Sequence, residues 1–141
     1  MSSKTESPTV IVLVEDDDVD ALLFERTLDD CDGSYEVQVH CTLESAMQWI
    51  DQHHCDVVLL DYSLPDSFGL DGLRRLQARF EGLPVVMLTG LDDPQAAVAA
   101  HDHGATAYVV KGILSSNELD QTLRRAATGR PFKCGSIRQP V

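Results

Sequence analysis

Four short runs of apolar, largely β-branched residues most constrain how this chain can fold. They are T-V-I-V-L-V (9–14), D-V-V-L-L-D (56–61), P-V-V-M-L-T (84–89) and A-Y-V-V-K (107–111). None of them alternates polar with apolar residues, which is typical of strands in a parallel sheet whose two faces are both covered. A fifth run, 36–40, does alternate, as expected of an edge strand with one wetter face. The pattern predicts a mostly buried parallel sheet.

Segments with helical spacing separate these runs. Their apolar residues recur three or four positions apart: Leu22, Leu23 and Leu28; Leu43, Met47 and Ile50; Leu70, Leu73, Leu76 and Phe80; Leu119, Leu123 and Ala126. The segment 94–103 is only weakly amphipathic, so its ends predict the helix: Asp93 as cap, Pro94 at the first position and Gly104 as the stop. The last helix is expected to begin with a capping box between Ser115 and Glu118.

Five strand–helix units in succession predict an α/β fold. With the alternating strand second, we expect a flavodoxin-like doubly wound (βα)5 sandwich with a parallel sheet of order 2-1-3-4-5. Ligands in such a fold bind at the carboxyl ends of strands 1 and 3, where the winding reverses direction. We expect a single domain over residues 9–127, preceded by a polar lead (1–8) and followed by a tail (128–141).

The charge balance and the cysteine pattern narrow the class of protein. A formal net charge of −12 over 141 residues argues against direct nucleic-acid binding, because such a surface repels a polyphosphate. The longest unbroken apolar run, 10–14, is far shorter than the ~20 residues of a membrane helix. The N-terminus does not resemble a signal peptide, and four cysteines without C-x-x-C spacing predict reduced thiols in the cytoplasm.

Each of the four core runs ends in polar residues that suit a metal ion or a phosphate: Glu15-Asp16, Asp61, Thr89 and Lys111. The predicted fold brings these ends to one edge of the sheet, where the acids would repel one another and raise their pKa values unless a cation lay among them. Mg²⁺ is the natural cation, because it takes hard oxygen ligands and completes its shell with water and phosphate oxygens.

The predicted position of each residue suggests its role. Asp61 lies on the central strand, so it is the expected nucleophile that forms an aspartyl phosphate. Glu15 and Asp16 would hold the metal, while Lys111 and Thr89 would bind phosphate oxygens. Each residue also has a structural interpretation, since an acid after a strand often caps the next helix and a lysine is often a solvated charge. Their joint occurrence at the ends of all four core runs favours the functional interpretation.

The segments V-L-V-E-D-D, L-L-D-Y-S-L-P-D-S-F-G-L, V-V-M-L-T-G and G-A-T-A-Y-V-V-K resemble the four signature segments of the receiver domain of bacterial two-component response regulators. The resemblance covers about residues 9–127. It implies that Asp61 is phosphorylated, that Glu15 and Asp16 are the acid pair, and that Lys111 is the lysine of the site. It further implies that Thr89 and Tyr108 form the switch, and that the backbone carbonyl of Ser63 is a metal ligand.

The resemblance also implies partners and an output. The expected phosphoryl donor is a histidine kinase or a phosphotransfer protein, in direct signalling or in a phosphorelay, and the chain is expected to catalyse only its own phosphorylation and dephosphorylation. The signal would pass to a protein target through the face formed by the fourth helix (α4, 94–103), the fifth strand (β5, 107–111) and the fifth helix (α5, from Ser115). This face can also mediate homodimers in the family. The short tail excludes a DNA-binding output domain within this chain, unless it was excised from a longer protein.

Two departures from the family pattern concern what happens after phosphorylation. Gly112 stands where members usually have a proline, so the loop that follows Lys111 is expected to be more permissive in backbone angle. Ser63 and Leu91 occupy the positions two beyond Asp61 and two beyond Thr89, whose side chains influence how long the phosphate survives in this family. An apolar Leu91 cannot orient an attacking water, which predicts slow self-dephosphorylation.

Two other functions compete with the receiver interpretation. A phosphatase of the haloacid dehalogenase type also forms an aspartyl phosphate, but it needs a second aspartate two residues after the nucleophile, where this chain has Ser63. A phosphorylation-independent interaction module is disfavoured by the complete set of acids, threonine and lysine. The histidine-containing segments 53–55 and 101–103 lack tetrahedral ligand spacing, and we interpret them as solvated helix ends.

Overall fold

The computed structural model of the protein describes residues 8–31, 33–90, 94–112 and 115–128. Strands and helices alternate along these residues. The strands are β1 (Thr9–Val14), β2 (Tyr35–His40), β3 (Val57–Asp61), β4 (Val85–Thr89) and β5 (Ala107–Val110). The helices are α1 (Asp18–Asp29), α2 (Leu43–Gln52), α3 (Asp71–Arg79), α4 (Pro94–Asp102) and α5 (Ser116–Thr128). The element boundaries agree with the predicted ones to within a few residues.

The strands form one parallel sheet in the order β2-β1-β3-β4-β5. This order confirms the predicted flavodoxin-like (βα)5 class. β1 pairs with both β2 and β3, so the winding of the chain reverses between β1 and β3. The carboxyl ends of those two strands therefore flank the crevice where ligands bind in doubly wound sheets. A two-residue antiparallel pair, Ser63–Leu64 with Ser67–Phe68, lies in the loop between β3 and α3 and was not predicted.

Two hydrophobic clusters cover the two faces of the sheet. Successive strand side chains point to opposite faces, so β1 contributes Val12 and Val14 to one cluster and Ile11 and Leu13 to the other. Buried residues of α2, α3 and α4 complete the first cluster, and buried residues of α1 and α5 complete the second. Because both faces are covered, β3 and β4 are buried at every residue. This arrangement explains the unbroken apolar runs of the sequence.

The edge position of β2 agrees with its alternating sequence. None of its six residues is fully buried, and among the described residues it pairs with β1 alone. The strand therefore exposes one row of backbone groups, in contrast to the central strands. The prediction that this run forms a wetter edge strand is confirmed.

Side-chain caps fix where several helices begin. Asp17 accepts hydrogen bonds from the backbone N–H groups of Val19 and Asp20 at the start of α1. The predicted capping box of α5 is confirmed, since Ser115 N–H donates to Glu118 Oε1 and Glu118 N–H donates to Ser115 Oγ. α4 begins at Pro94 as predicted, whereas its predicted cap, Asp93, lies outside the described residues.

Several sequence predictions concern residues that the structure does not describe. The polar lead apart from Pro8, the tail apart from Thr128, and Leu91 lie outside the described ranges. The domain boundaries and the cytoplasmic location accordingly stay predictions. Within the described part of the chain, no helix has the length and apolar character needed to cross a bilayer.

Candidate functional site

Three carboxylates converge at the carboxyl edge of the sheet. Asp61 is the last residue of β3 and is 6% exposed, Glu15 follows β1 and is 2% exposed, and Asp16 beside it is exposed. One oxygen from each of the three lies within 4.8 Å of the other two. The structure therefore brings together the acid pair and the central aspartate that the sequence predicted to share a site.

The turn after β1 places the acid pair. Glu15 N–H donates to the carbonyl of His40 at 2.9 Å, which extends the pairing of β1 with β2 by one residue. Asp17 N–H donates to Glu15 Oε2 at 3.1 Å, and Asp17 in turn caps α1. The chain consequently turns from strand to helix within three residues, with the Glu15 carboxylate held in the turn and aimed at the end of β3.

Lys111 supplies the positive charge of the site from the residue after β5. Its backbone N–H donates to the carbonyl of Thr89 at 2.7 Å, which anchors it beside the end of β4. Its ammonium nitrogen lies 2.5 Å from Glu15 Oε1 and 3.3 Å from Asp61 Oδ2. A third carboxylate, Asp20 Oδ2 on α1, lies 3.1 Å from the same nitrogen. One ammonium group thus contacts three acids from three different elements.

The crowding of acids shifts the titration of the site. Burial raises the pKa of Glu15 from its ordinary value of 4.5 to about 7, with the ammonium of Lys111 opposing this change and Asp61 adding to it. The predicted upward direction is confirmed for Glu15, although burial rather than repulsion is the largest cause. Burial alone would lower the pKa of Lys111, but hydrogen bonds to Glu15 and Asp20 and the charge of Asp61 raise it. Lys111 is therefore a permanent cation at neutral pH.

The donor set of this edge fits a hard divalent cation. Glu15 Oε1 is buried and ion-paired with Lys111, yet among the described residues no donor meets it with hydrogen-bond geometry. Asp16 is exposed beside it, so a cation can reach the carboxylates from solvent. Carboxylate oxygens with open positions for water are the ligands that Mg²⁺ prefers. The acidic pocket of Glu15, Asp16 and Asp61 could thus hold a metal ion.

The remaining predicted site residues lie around this pocket. Thr89 ends β4 and is 3% exposed, one strand away from Asp61. Tyr108 on β5 is partly buried and packs against the cluster that includes buried residues of α4. Ser63 is exposed in the loop after β3, and its N–H makes a long 3.5 Å contact with Asp61 Oδ1. Gly112 stands where members of the family usually have a proline. Its φ of +84° is a left-handed conformation that favours glycine.

Sequence reasoning missed one charged member of the site. Asp20 was not predicted as a site residue, yet its carboxylate contacts Lys111. The spacing from Asp16 to Asp20 is four residues, close to one helical turn, and this could have indicated that both acids face the same edge. The histidine-containing segments lie elsewhere: His53 is the C-cap of α2, and His103 Nδ1 contacts the carbonyl of Ala99 at the end of α4.

Comparison with known proteins agrees with the observed fold. FilR1, a methanogenesis regulatory protein of Methanothrix harundinacea, is 32% identical over 119 residues, which cover 82% of this chain and 27% of that protein. A putative response regulator from Chloroflexus aurantiacus superposes with a TM-score of 0.73 at 28% identity, covering 84% of this chain and 100% of the other. A CheY-like receiver domain protein from Methanospirillum hungatei superposes with a TM-score of 0.75 at 23% identity, covering 90% and 99% of the two chains.

The chain spans less than half the length of FilR1 and of two further curated regulatory proteins that it matches. The shared part is the domain described above. The family model of the response regulator receiver domain matches residues 11–124, which include the whole acidic pocket and all of the sheet except the first two residues of β1. The chain therefore belongs to the family of response regulator receiver domains and takes part in two-component signal transduction.

Proposed function

We propose that Asp61 accepts a phosphoryl group from a histidine kinase or a phosphotransfer protein, with Mg²⁺ as the cofactor. The observation that carries this proposal is the buried Asp61 carboxylate at the switch point of the sheet, with the Lys111 ammonium at 3.3 Å and the Glu15-Asp16 pair beside it. An exposed aspartate would be a common surface feature. A buried carboxylate among other acids is costly, and its environment suits a group that reacts.

The residues of this chain have distinct roles in the proposed transfer. A carboxylate oxygen of Asp61 attacks phosphorus, the new O–P bond forms as the bond from phosphorus to the donor breaks, and the donor group leaves with the bonding electron pair. Lys111 holds its ammonium beside Asp61, where it neutralises charge on the phosphoryl oxygens. Glu15, Asp16, Asp61 and the backbone carbonyl of Ser63 would hold Mg²⁺, which when bound neutralises phosphoryl charge and orients the group.

Phosphorylation would change the surface of the domain through movements of Thr89 and Tyr108. They lie on the neighbouring strands β4 and β5, where Tyr108 is in register with Met87, two residues before Thr89, and Tyr108 packs in the cluster to which α4 contributes. A hydrogen bond from the Thr89 hydroxyl to a phosphoryl oxygen would move Thr89 and free space for the Tyr108 ring. We infer that the output is protein contact through the α4-β5-α5 face, with a downstream protein or a second copy of the chain as the partner.

Intact-mass spectrometry after incubation with acetyl phosphate tests the proposal. We expect the wild type to gain the mass of one phosphoryl group in the presence of Mg²⁺ and none in the presence of a chelator. Asp61→Asn is the matched control, because it keeps the size of the side chain and removes the nucleophile. A wild type that gains no Mg²⁺-dependent mass, or an Asp61→Asn protein that gains as much, would show the proposal to be wrong.

The same measurement addresses the lifetime of the phosphate. The apolar Leu91 of the sequence, two residues beyond Thr89, cannot orient an attacking water, which supports slow self-dephosphorylation. After removal of acetyl phosphate, the phosphorylated mass should persist for many minutes in Mg²⁺. A half-life of seconds contradicts this part of the proposal.

A further inference from the structure

The third carboxylate on Lys111 has no part in the chemistry described so far. Asp20 lies in the first turn of α1, one helical turn beyond the acid pair, and its Oδ2 is 3.1 Å from Lys111 Nζ. As an acid in the first turn of a helix it would already be favoured by the helix dipole. Its side chain nevertheless turns toward the sheet edge and accepts a hydrogen bond from the ammonium group of Lys111. This contact links the start of α1 to the end of β5.

Counting donors shows why the contact matters. An ammonium group has three N–H donors and no acceptor. Lys111 Nζ faces three carboxylates, those of Glu15, Asp20 and Asp61, at 2.5, 3.1 and 3.3 Å. The contact with Asp20 has hydrogen-bond geometry, and those with Glu15 and Asp61 are ion pairs, so three carboxylates surround the ammonium before any phosphoryl group arrives. A phosphoryl oxygen that binds Lys111 must compete with these carboxylates, and with Asp20 for an N–H donor that is already in use.

The exposure of the three carboxylates indicates which contact yields. The Glu15 side chain is 1% exposed and that of Asp61 is 8% exposed, whereas that of Asp20 is 37% exposed. A buried carboxylate that lost the ammonium would be left without water or a counterion, at a high free-energy cost. Asp20 can be hydrated when it releases Lys111. Its contact is thus the least costly to exchange.

We propose that Asp20 is a positioning residue that holds Lys111 in the unphosphorylated state and yields its ammonium hydrogen bond to the phosphoryl group on Asp61. The proposal rests on the proposed function and adds regulation of the same site. No proton moves in this exchange: Lys111 remains protonated, and water hydrates the released carboxylate of Asp20. The acid therefore lowers the affinity of the unphosphorylated site for a phosphoryl donor. It also makes the tie between α1 and β5 depend on phosphorylation.

The test compares two single substitutions on the same helical turn. Asp20→Asn removes the competing charge, and Asp18→Asn removes an equal charge from a residue outside the three ion pairs of Lys111. Initial rates of phosphorylation by acetyl phosphate in Mg²⁺ are measured by intact mass over a range of acetyl phosphate concentrations. Relative to Asp18→Asn, we expect Asp20→Asn to lower the apparent KM about three- to fivefold, the upper part of the range for a partly exposed ion pair. The limiting rate should change less than twofold, because Lys111 is released equally for bound donor and transition state.

Two further outcomes decide the inference. Asp20→Glu restores the charge and should return the apparent KM to within about twofold of the wild type. Because the expected effect of Asp20→Asn is a gain, a poorly folded variant cannot imitate it. If wild type is phosphorylated on Asp61 and Asp20→Asn behaves like Asp18→Asn or more slowly, the role of Asp20 is wrong while the proposed function stands. If wild type itself gains no phosphate, the proposed function fails and this inference fails with it.

Discussion

Two carboxylates of this domain, Asp66 and Glu15, occupy opposite electrostatic environments. Asp66, in the loop after β3, accepts backbone N–H bonds from Leu43 and Glu44 at 2.9 Å each, across the start of α2. Burial alone would raise the pKa of Asp66, but these two donors and the charge of Arg75 lower it. The pKa of Glu15 is raised to about 7, chiefly by burial. The fold stabilises the ionised form of Asp66, whereas it destabilises the ionised form of Glu15.

The difference separates a structural acid from an acid with a proposed chemical role. Fixed N–H donors at a helix start satisfy a carboxylate permanently, so nothing else needs to bind it. Glu15 has one oxygen on the Asp17 N–H and a second that is buried beside Lys111 without hydrogen-bond geometry. The proposed binding of a cation and a phosphoryl group requires such unfilled capacity. The unfilled capacity at this edge lowers the stability of the fold, whereas features such as the Asp66 cap raise it.

The largest expected effect comes from removing the structural acid. Asp66→Ala deletes two charge-assisted hydrogen bonds at the start of α2, so we expect the free energy of unfolding to fall by about 2–3 kcal/mol. Asp66→Asn keeps a single acceptor oxygen and should lose about half as much. Equilibrium denaturation in urea at pH 7 measures both. Equal stabilities for Asp66→Ala and the wild type would contradict the contrast between the two acids.

At acid pH, the stability difference between wild type and Asp66→Ala is expected to change in a defined direction. The folded pKa of Asp66 lies below its ordinary value of 3.8, so the folded state favours the ionised form. Its contribution is fully present above pH 3.8 and is lost as the pH falls through the folded pKa. The stability difference between wild type and Asp66→Ala should therefore shrink only in strong acid. A difference that disappears already near pH 6 would point to another group.

A somewhat smaller effect, with the opposite pH dependence, is expected for Glu15. Its raised pKa means that the folded state binds the proton more tightly than the unfolded state. In chelator, wild-type stability should fall relative to Glu15→Gln as the pH rises from 4.5 to about 7, by on the order of 2 kcal/mol. Urea denaturation at several pH values measures the difference. The exposed Glu81→Gln is the control and should show no such trend.

Sequence patterns anticipated Glu15 but not Asp66, and the reason is physical. Strand and helix periods, caps and strand-end acids are local, so the sheet order, the acid pair and the Ser115–Glu118 box could all be predicted. Asp66 contacts Leu43 across 23 residues, and only the packed loop brings them together. The ion pair of Asp20 with Lys111 spans 91 residues. Such contacts depend on side-chain directions that a single sequence does not specify.

A third and smaller effect is expected when a cation occupies the binding capacity that Glu15 leaves unfilled, and it sharpens the comparison with Asp66. If the acidic pocket binds Mg²⁺, the ion should raise the stability of the folded state by about 1.4 kcal/mol at ten times its dissociation constant. Thermal unfolding followed by circular dichroism, with Mg²⁺ or with chelator, measures the shift. Asp66→Asn should keep the full response to Mg²⁺, since its carboxylate lies outside the pocket. Glu15→Gln should lose most of it, and an unchanged response in that variant would exclude Glu15 from the metal site.

The smallest effect belongs to an acid that is neither fixed by backbone donors nor buried. Asp51 on α2 forms an ion pair with Arg79 on α3, and the two side chains are 37% and 42% exposed. Water and salt screen such a pair, and holding two long side chains in one geometry costs entropy. Asp51→Asn should leave the urea midpoint within experimental error, both in low salt and in 1 M NaCl. If this variant were as unstable as Asp66→Ala, an ion pair at the surface would stabilise the fold as strongly as a carboxylate that accepts hydrogen bonds from helix-start N–H groups. Backbone N–H donors would then not distinguish a structural acid such as Asp66 from the other acids.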